Sequence, residues 1–151
     1  MRIEPADFDD VRLAAFLRAH LDDLAPTSPP ESRHALDLDG LRTPGVRLWV
    51  ALDGHDLVGT AGLAPVGPGH EEVKSMRTDP ERRGQGIARR LLGVVVDDAR
   101  RRGISRLSLE TGSMDFFAPA RALYAASGFL PCPPFGSYRP DPNSTFMSRV
   151  V

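Results

Sequence analysis

Residues 81–88 read Glu-Arg-Arg-Gly-Gln-Gly-Ile-Ala, a basic, glycine-punctuated loop that opens directly into an amphipathic helix. Glycines let a backbone approach a ligand closely, and the first turn of a helix presents unbonded N–H groups at the positive end of its dipole. Both features favour an anion, phosphate above all. The chemistry this pattern predicts is the holding of a phosphorylated cofactor.

Two common phosphate loops do not fit. A P-loop needs Lys and then Ser or Thr after its last glycine, where this chain has Ile87-Ala88. A dinucleotide fingerprint wants a third glycine where Arg89 stands, and it follows the first strand of its unit, whereas strands already precede this loop. A tight turn with helix-capping glycines and no ligand is the plainer alternative.

The elements that must position the loop are readable from periodicity. Met1–Glu4 has the length of an edge strand, and Asp7–Leu24 has helical spacing. Pro29–Leu41 reads as a second short helix. Val46–Leu52 and Leu57–Leu63 are strands joined at Asp53-Gly54, a hairpin signal. Glu71–Thr78 is the next strand, ended by Pro80. Gln85–Arg102 is the longest helix, with an apolar stripe through Ile87, Leu91, Leu92, Val95 and Ala99 and a stop at Gly103. Ser105–Glu110 is a strand, Pro119–Ser127 a helix, and Phe129–Cys132 and Thr145–Val150 are closing strands. This order gives an α/β fold with a mixed sheet.

The chain has 151 residues, 41% hydrophobic and 26% charged, which suits one domain spanning 1–151 with its own core. A net charge of −1 argues against a general polyanion binder. The basic residues cluster instead at Arg82, Arg83, Arg89, Arg90 and Arg100–Arg102, predicting one bounded anionic ligand and no nucleic acid. The last of these runs reads as a solvated helix end that complements the dipole. A single cysteine, Cys132, forms no intrachain disulfide and reads as a small strand hydrophobe. No apolar run approaches membrane-spanning length, so a cytoplasmic protein without a membrane partner is expected.

A second segment narrows the ligand. Arg83-Gly84-Gln85-Gly86-Ile87-Ala88 resembles the coenzyme A pyrophosphate loop of the GNAT family of N-acetyltransferases. Ala122-Leu123-Tyr124-Ala125-Ala126-Ser127-Gly128-Phe129 resembles the signature that ends that family's last helix, and it falls on the helix expected here. The likeness runs from Val46 to the C-terminus, while the first 45 residues match only in helix count. Glu72–Thr78, Leu109–Gly112 and Pro134–Tyr138 resemble a YsnE-like bacterial subgroup of these enzymes.

The resemblance implies a sheet of about six to seven strands with about four helices, splayed between its two central strands. It also implies acetyl-CoA as donor, direct attack by a substrate amine, and no metal. Residues Arg83, Gly84, Gln85, Gly86, Ile87, Ala88 and Arg89 would bind the pyrophosphate. Met76, Arg77 and Thr78 would run beside pantetheine, with one N–H polarising the thioester carbonyl. Tyr124 would be the general acid for the leaving thiolate, against the alternative of a core tyrosine tying down its helix. Relatives often carry Asn seven residues before this tyrosine; here Phe117 stands there and would pack apolar surface on the cofactor.

The acceptor side is less determined. Glu72 and Glu110, at strand ends flanking the expected splay, are candidate bases, with a water chain and His34 as alternatives. Period-2 alternation puts Glu72 on one face with Lys74, Met76 and Thr78, unless a bulge reverses the parity. The Pro-rich span Pro133–Asn143 carries Phe135, Tyr138, Arg139 and Asn143, and the helix bearing Glu31 and His34 would face it. Together they predict a compact pocket for a small amine or amino acid. A protein lysine or N-terminal acetyltransferase, an acyl-CoA-sensing module without turnover, and a homodimer paired through Thr145–Val150 are the alternatives.

Overall fold

The computed structural model describes residues 1–27, 29 and 37–151. Among them, seven strands form one sheet in the order β1-β2-β3-β4-β5-β7-β6. These are β1 (Arg2–Pro5), β2 (Arg47–Asp53), β3 (Asp56–Gly67), β4 (His70–Thr78), β5 (Arg106–Gly112), β6 (Leu130–Pro131) and β7 (Ser144–Val150). The described α-helices are α1 (Val11–Leu24), α2 (Leu38–Leu41), α3 (Ile87–Arg101) and α4 (Ala118–Ala126). The expected helix over Pro29–Leu41 falls largely outside the described residues. Its described end is α2, capped by Asp37, whose carboxylate accepts from Gly40 N–H at 2.9 Å. Strand β3 runs past Pro65, which is tolerated because the β3–β4 register slips between Pro65 and Gly67.

Strand alternation divides the core between two faces. Leu48, Val50 and Leu52 of β2 pack with Leu13 and Leu17 of α1 and Leu41 of α2, whereas Trp49 and Ala51 turn to the side covered by α3 and α4. The stripe on α3 expected from the sequence is buried there. At Gly59 an added Cβ would lie 2.8 Å from Leu91 and 2.9 Å from Ile87, so this glycine sets how closely α3 sits on β3.

The basic helix end is not simply solvated. Arg102, just past the last turn, donates to Glu71 on β4 at 2.6 and 3.0 Å and to Asp98 at 2.8 Å, and Arg47 of β2 donates to Asp98 at 2.8 and 2.9 Å. Burial alone would raise the Asp98 carboxyl; the hydrogen bonds from Arg47 and Arg102 outweigh it and hold the pKa below the usual carboxylate value. The network fastens α3 to the sheet on both sides of β3.

Two departures from regular pairing make the site. β4 and β5 run parallel over three pairs, His70–Arg106, Glu71–Leu107 and Glu72–Ser108, and pair no further. Beyond them β4 stays bonded to β3 and β5 to β7, so the sheet splays between its central strands. The second is a bulge: Gly62 pairs with Lys74 but Thr60 with Arg77, which leaves one extra residue on β4. Ser75 takes it up at φ 54°, the left-handed region that L-residues seldom enter. The alternation expected through Glu72, Lys74, Met76 and Thr78 is interrupted there.

Candidate active site

Two cavities open along the splay. The larger, about 360 Å³, is walled by Met76–Thr78, the 82–89 loop with the start of α3, and the side of α4. The smaller, about 160 Å³, lies between Glu72–Met76 of β4 and Glu110–Gly112 of β5. Six residues line both: His20, Leu24, Met76, Phe117, Ala120 and Tyr124. The cavities therefore meet at Met76, just after the bulge, with Tyr124 on the facing wall.

At one end of the larger cavity the loop has the form its glycines predict. Gly84 and Gly86 both take φ 79°, with open space where a Cβ would stand. Gly86 is the N-cap of α3 and supplies no side-chain cap, so the N–H groups of the first turn face the cavity mouth uncapped. The neighbouring arginines divide the work. Arg82 is held by Asp53 at 2.6 Å and Asp56 at 3.0 Å, which ties the loop to the β2–β3 turn. Arg83 and Arg89 have no ion-pair partner among the described residues and line the cavity.

Thr78 Oγ1 and Arg77 Nε are buried in the same wall without a hydrogen-bond partner among the described residues. An uncapped helix start, two cations, orphaned polar atoms and an apolar flank of Ile87, Phe116, Phe117 and Leu123 fit a cofactor with a phosphate end and a long amide-bearing arm. Of the residues expected to hold it, Met76, Arg77, Thr78, Arg83, Gly84, Gly86, Ile87, Ala88, Arg89 and Phe117 line the cavity. Gln85 lies in the loop but not on the lining. Phe117 packs on Gly112, where an added Cβ would lie 2.0 Å from its ring.

The smaller cavity brings together Glu72, Glu110 and Asn143. Glu72 accepts from Tyr138 Oη at 2.5 Å and from Lys74 Nζ at 3.3 Å, and Lys74 also donates to Tyr138 Oη at 3.0 Å. Burial, then the Glu72 charge, raise the Tyr138 pKa, so the phenol stays a donor. Glu110 accepts from Ser144 Oγ at 2.6 Å. Tyr138 thus reaches the wall from behind and does not line the cavity. Phe135 lines neither cavity; its ring meets those of Tyr138 and Phe146 edge to face, with centroids 5.2 and 5.9 Å away. Arg139 is exposed and lines neither. Glu31 and His34 lie outside the described residues.

Tyr124 is buried at the junction with its ring edge-on to Phe129 at 5.9 Å, and burial pushes its hydroxyl pKa up. His20, across from it on α1, was not among the expected residues. Burial, reinforced by the Arg77 charge and opposed by Asp23, lowers its pKa to about 4. Its place was signalled by the stripe Leu13, Leu17, His20, Leu24, whose 4-3-4 spacing turns it inward. Arg77 holds this helix down: it donates to Asp23 at 2.7 Å and lies 5.2 Å from the Phe16 ring centroid. Cys132 sits away from both cavities, its N–H bonded to Phe146 O.

A splayed sheet with a bulged strand, a glycine loop at a helix start and a tyrosine between two cavities define an acyltransferase class, and comparison agrees. The chain belongs to the GNAT family: the Acetyltransferase (GNAT) family pattern matches residues 13–129. It is 42% identical to the N-acetyltransferase YsnE of Bacillus subtilis over 151 residues, covering 100% of both chains. It is 43% identical over 142 residues to an IAA acetyltransferase of Azospirillum brasilense, covering 93% of this chain and 90% of the relative. A Klebsiella pneumoniae structure assigned as an acyl-CoA N-acyltransferase superposes with a TM-score of 0.79 at 28% identity, over 99% of this chain and 96% of that one. The protein is an acyltransferase of this family, which uses acetyl-CoA.

Proposed function

We propose that this enzyme transfers the acetyl group of acetyl-CoA directly to a primary amine of a small molecule or amino acid. The observation that carries the reading is the meeting of two cavities of unlike shape at Met76 and Tyr124. One suits a long phosphorylated donor, and the other is small and lined by carboxylates.

Bound acetyl-CoA would supply an acetyl group activated as a thioester. The N–H groups at the start of α3, with Arg83 and Arg89, would hold its pyrophosphate. Met76–Thr78, unpaired on the β5 side, would offer backbone groups to its amides, and one of their N–H groups would polarise the carbonyl. Tyr124, kept protonated by burial, holds a proton for the departing sulfur. Phe117 and Leu24 exclude water from the junction, while Glu72 and Glu110 give the acceptor end a negative pole that draws in an amine.

The test is thiol release from acetyl-CoA across a panel of amino acids, polyamines, aminoglycosides and lysine peptides. Turnover with small amines and none with peptides is the expected result. Tight acetyl-CoA binding without turnover on any amine would make this an acyl-CoA-binding module instead.

A further inference from the structure

Six residues line both cavities, and only two of them can exchange a proton: Tyr124 on α4 and His20 on α1. The other four are Leu24, Met76, Phe117 and Ala120. A transfer centred on this junction needs one group to give a proton to sulfur and one to take a proton from nitrogen. We propose that His20 is the catalytic residue that takes the proton from the acceptor amine, opposite Tyr124. This rests on the acetyl-transfer reading above.

The surroundings leave the two groups in the protonation states from which the step starts. The His20 imidazole has no hydrogen-bond partner among the described residues, so its lone pair is not spent on the protein. Desolvation keeps it neutral near pH 7, and the same effect keeps Tyr124 protonated. The charges nearest His20 are Arg77 on β4 and Asp23 on its own helix, which act in opposite directions. Lys74 and Glu72 on β4 and Glu110 on β5 line only the smaller cavity. Both carboxylates already accept protein hydrogen bonds, Glu72 from Tyr138 and Lys74, and Glu110 from Ser144.

The step balances without another reactant. The neutral amine nitrogen bonds to the acetyl carbon and the carbon–sulfur bond breaks. The nitrogen, made acidic by acylation, gives its proton to the imidazole, while sulfur takes the Tyr124 hydroxyl proton. The buried imidazolium then returns a proton to the phenolate, so both side chains are restored and the products are amide and thiol.

The probe is n-propylamine, a minimal primary amine that fits the smaller cavity. His20→Gln should lower kcat for thiol release about a hundredfold and leave the Kd for coenzyme A within about twofold. His20→Gly should recover turnover when free imidazole is added. Long-range 1H–15N spectra of the wild-type enzyme should show a neutral His20 ring near pH 7 whose signals move on adding n-propylamine. Retention of kcat within about threefold in His20→Gln overturns the proposal, as does a loss that imidazole does not restore. A ring that is protonated or unmoved by n-propylamine overturns it without any turnover. Wild-type enzyme that acetylates no amine at all sinks the transfer reading itself, a different outcome.

Discussion

The hydroxyl of Thr60 on β3 donates to the carbonyl of Ser75 on β4 at 2.7 Å, and Thr60 is fully buried. Ser75 is the left-handed residue of the bulge, so this bond fixes the backbone at the point where the two cavities meet. Thr60→Val keeps the shape and removes the donor. It should cost about 1–2 kcal/mol of stability, because a buried carbonyl loses its partner. Urea unfolding measures that loss, and calorimetry should show coenzyme A binding weakened along with it.

Tyr124→Phe should separate chemistry from packing. The ring keeps its contact with Phe129, so the melting temperature should hold, while kcat falls about a hundredfold with KM for acetyl-CoA little changed. Steady-state kinetics with the best amine of the panel checks this. Unchanged turnover would return Tyr124 to a purely structural role.

Adjacent arginines should behave differently. Arg83, on the cavity wall with no ion-pair partner among the described residues, should lose about tenfold in coenzyme A affinity when changed to Ala, as expected for a charge-assisted contact, with a shallower salt dependence. Arg82→Ala removes pairs with the half-exposed Asp53 and well-exposed Asp56, which solvent screens, and touches affinity less. Titrations at two ionic strengths distinguish them.

Gly112→Ala tests the Phe117 wall. The new methyl would lie 2.0 Å from the ring, well inside contact distance, and would drive Phe117 toward the shared cavity space. Coenzyme A binding should fall while Gly112→Ala with Phe117→Ala restores part of it, read by calorimetry on both variants.

The pH dependence of stability has a fixed sign at Asp98. Its folded pKa lies below the ordinary 3.8, so its contribution is full above that value and drains away as pH falls through the lower folded one. Urea midpoints should therefore drop in acid for the wild type. Asp98→Asn should be less stable by about 2–3 kcal/mol at neutral pH, since Arg47 and Arg102 lose their shared partner, with a flatter acid limb.

Much of this was legible in the chain. The stripe from Ile87 to Ala99, the Gly103 stop and the Asp53-Gly54 hairpin each state a local preference that the fold keeps. The glycine loop was legible because positive φ at Gly84 and Gly86 is written as glycine. The bulge was not, because its left-handed residue is a serine inside an apparently regular alternation, held by a threonine that looks like any strand residue. His20 was passed over because a lone histidine on a helix carries no motif; only its stripe with Leu13, Leu17 and Leu24 turns it inward. Phe135 and Arg139 sit on the expected loop, but Phe135 packs edge to face on Phe146 and lines neither cavity, which no local pattern encodes.

The three-rung pairing of β4 with β5 has a consequence for solubility as well as catalysis. A strand edge is a template that any extended chain can extend, and proteins ordinarily hide or charge it. Here two such edges are opened on purpose in the middle of the sheet, facing each other across a cleft. On the acetyl-transfer reading, a cofactor arm that carries amides would take the place of the missing neighbour strand and cap the opened edge of β4.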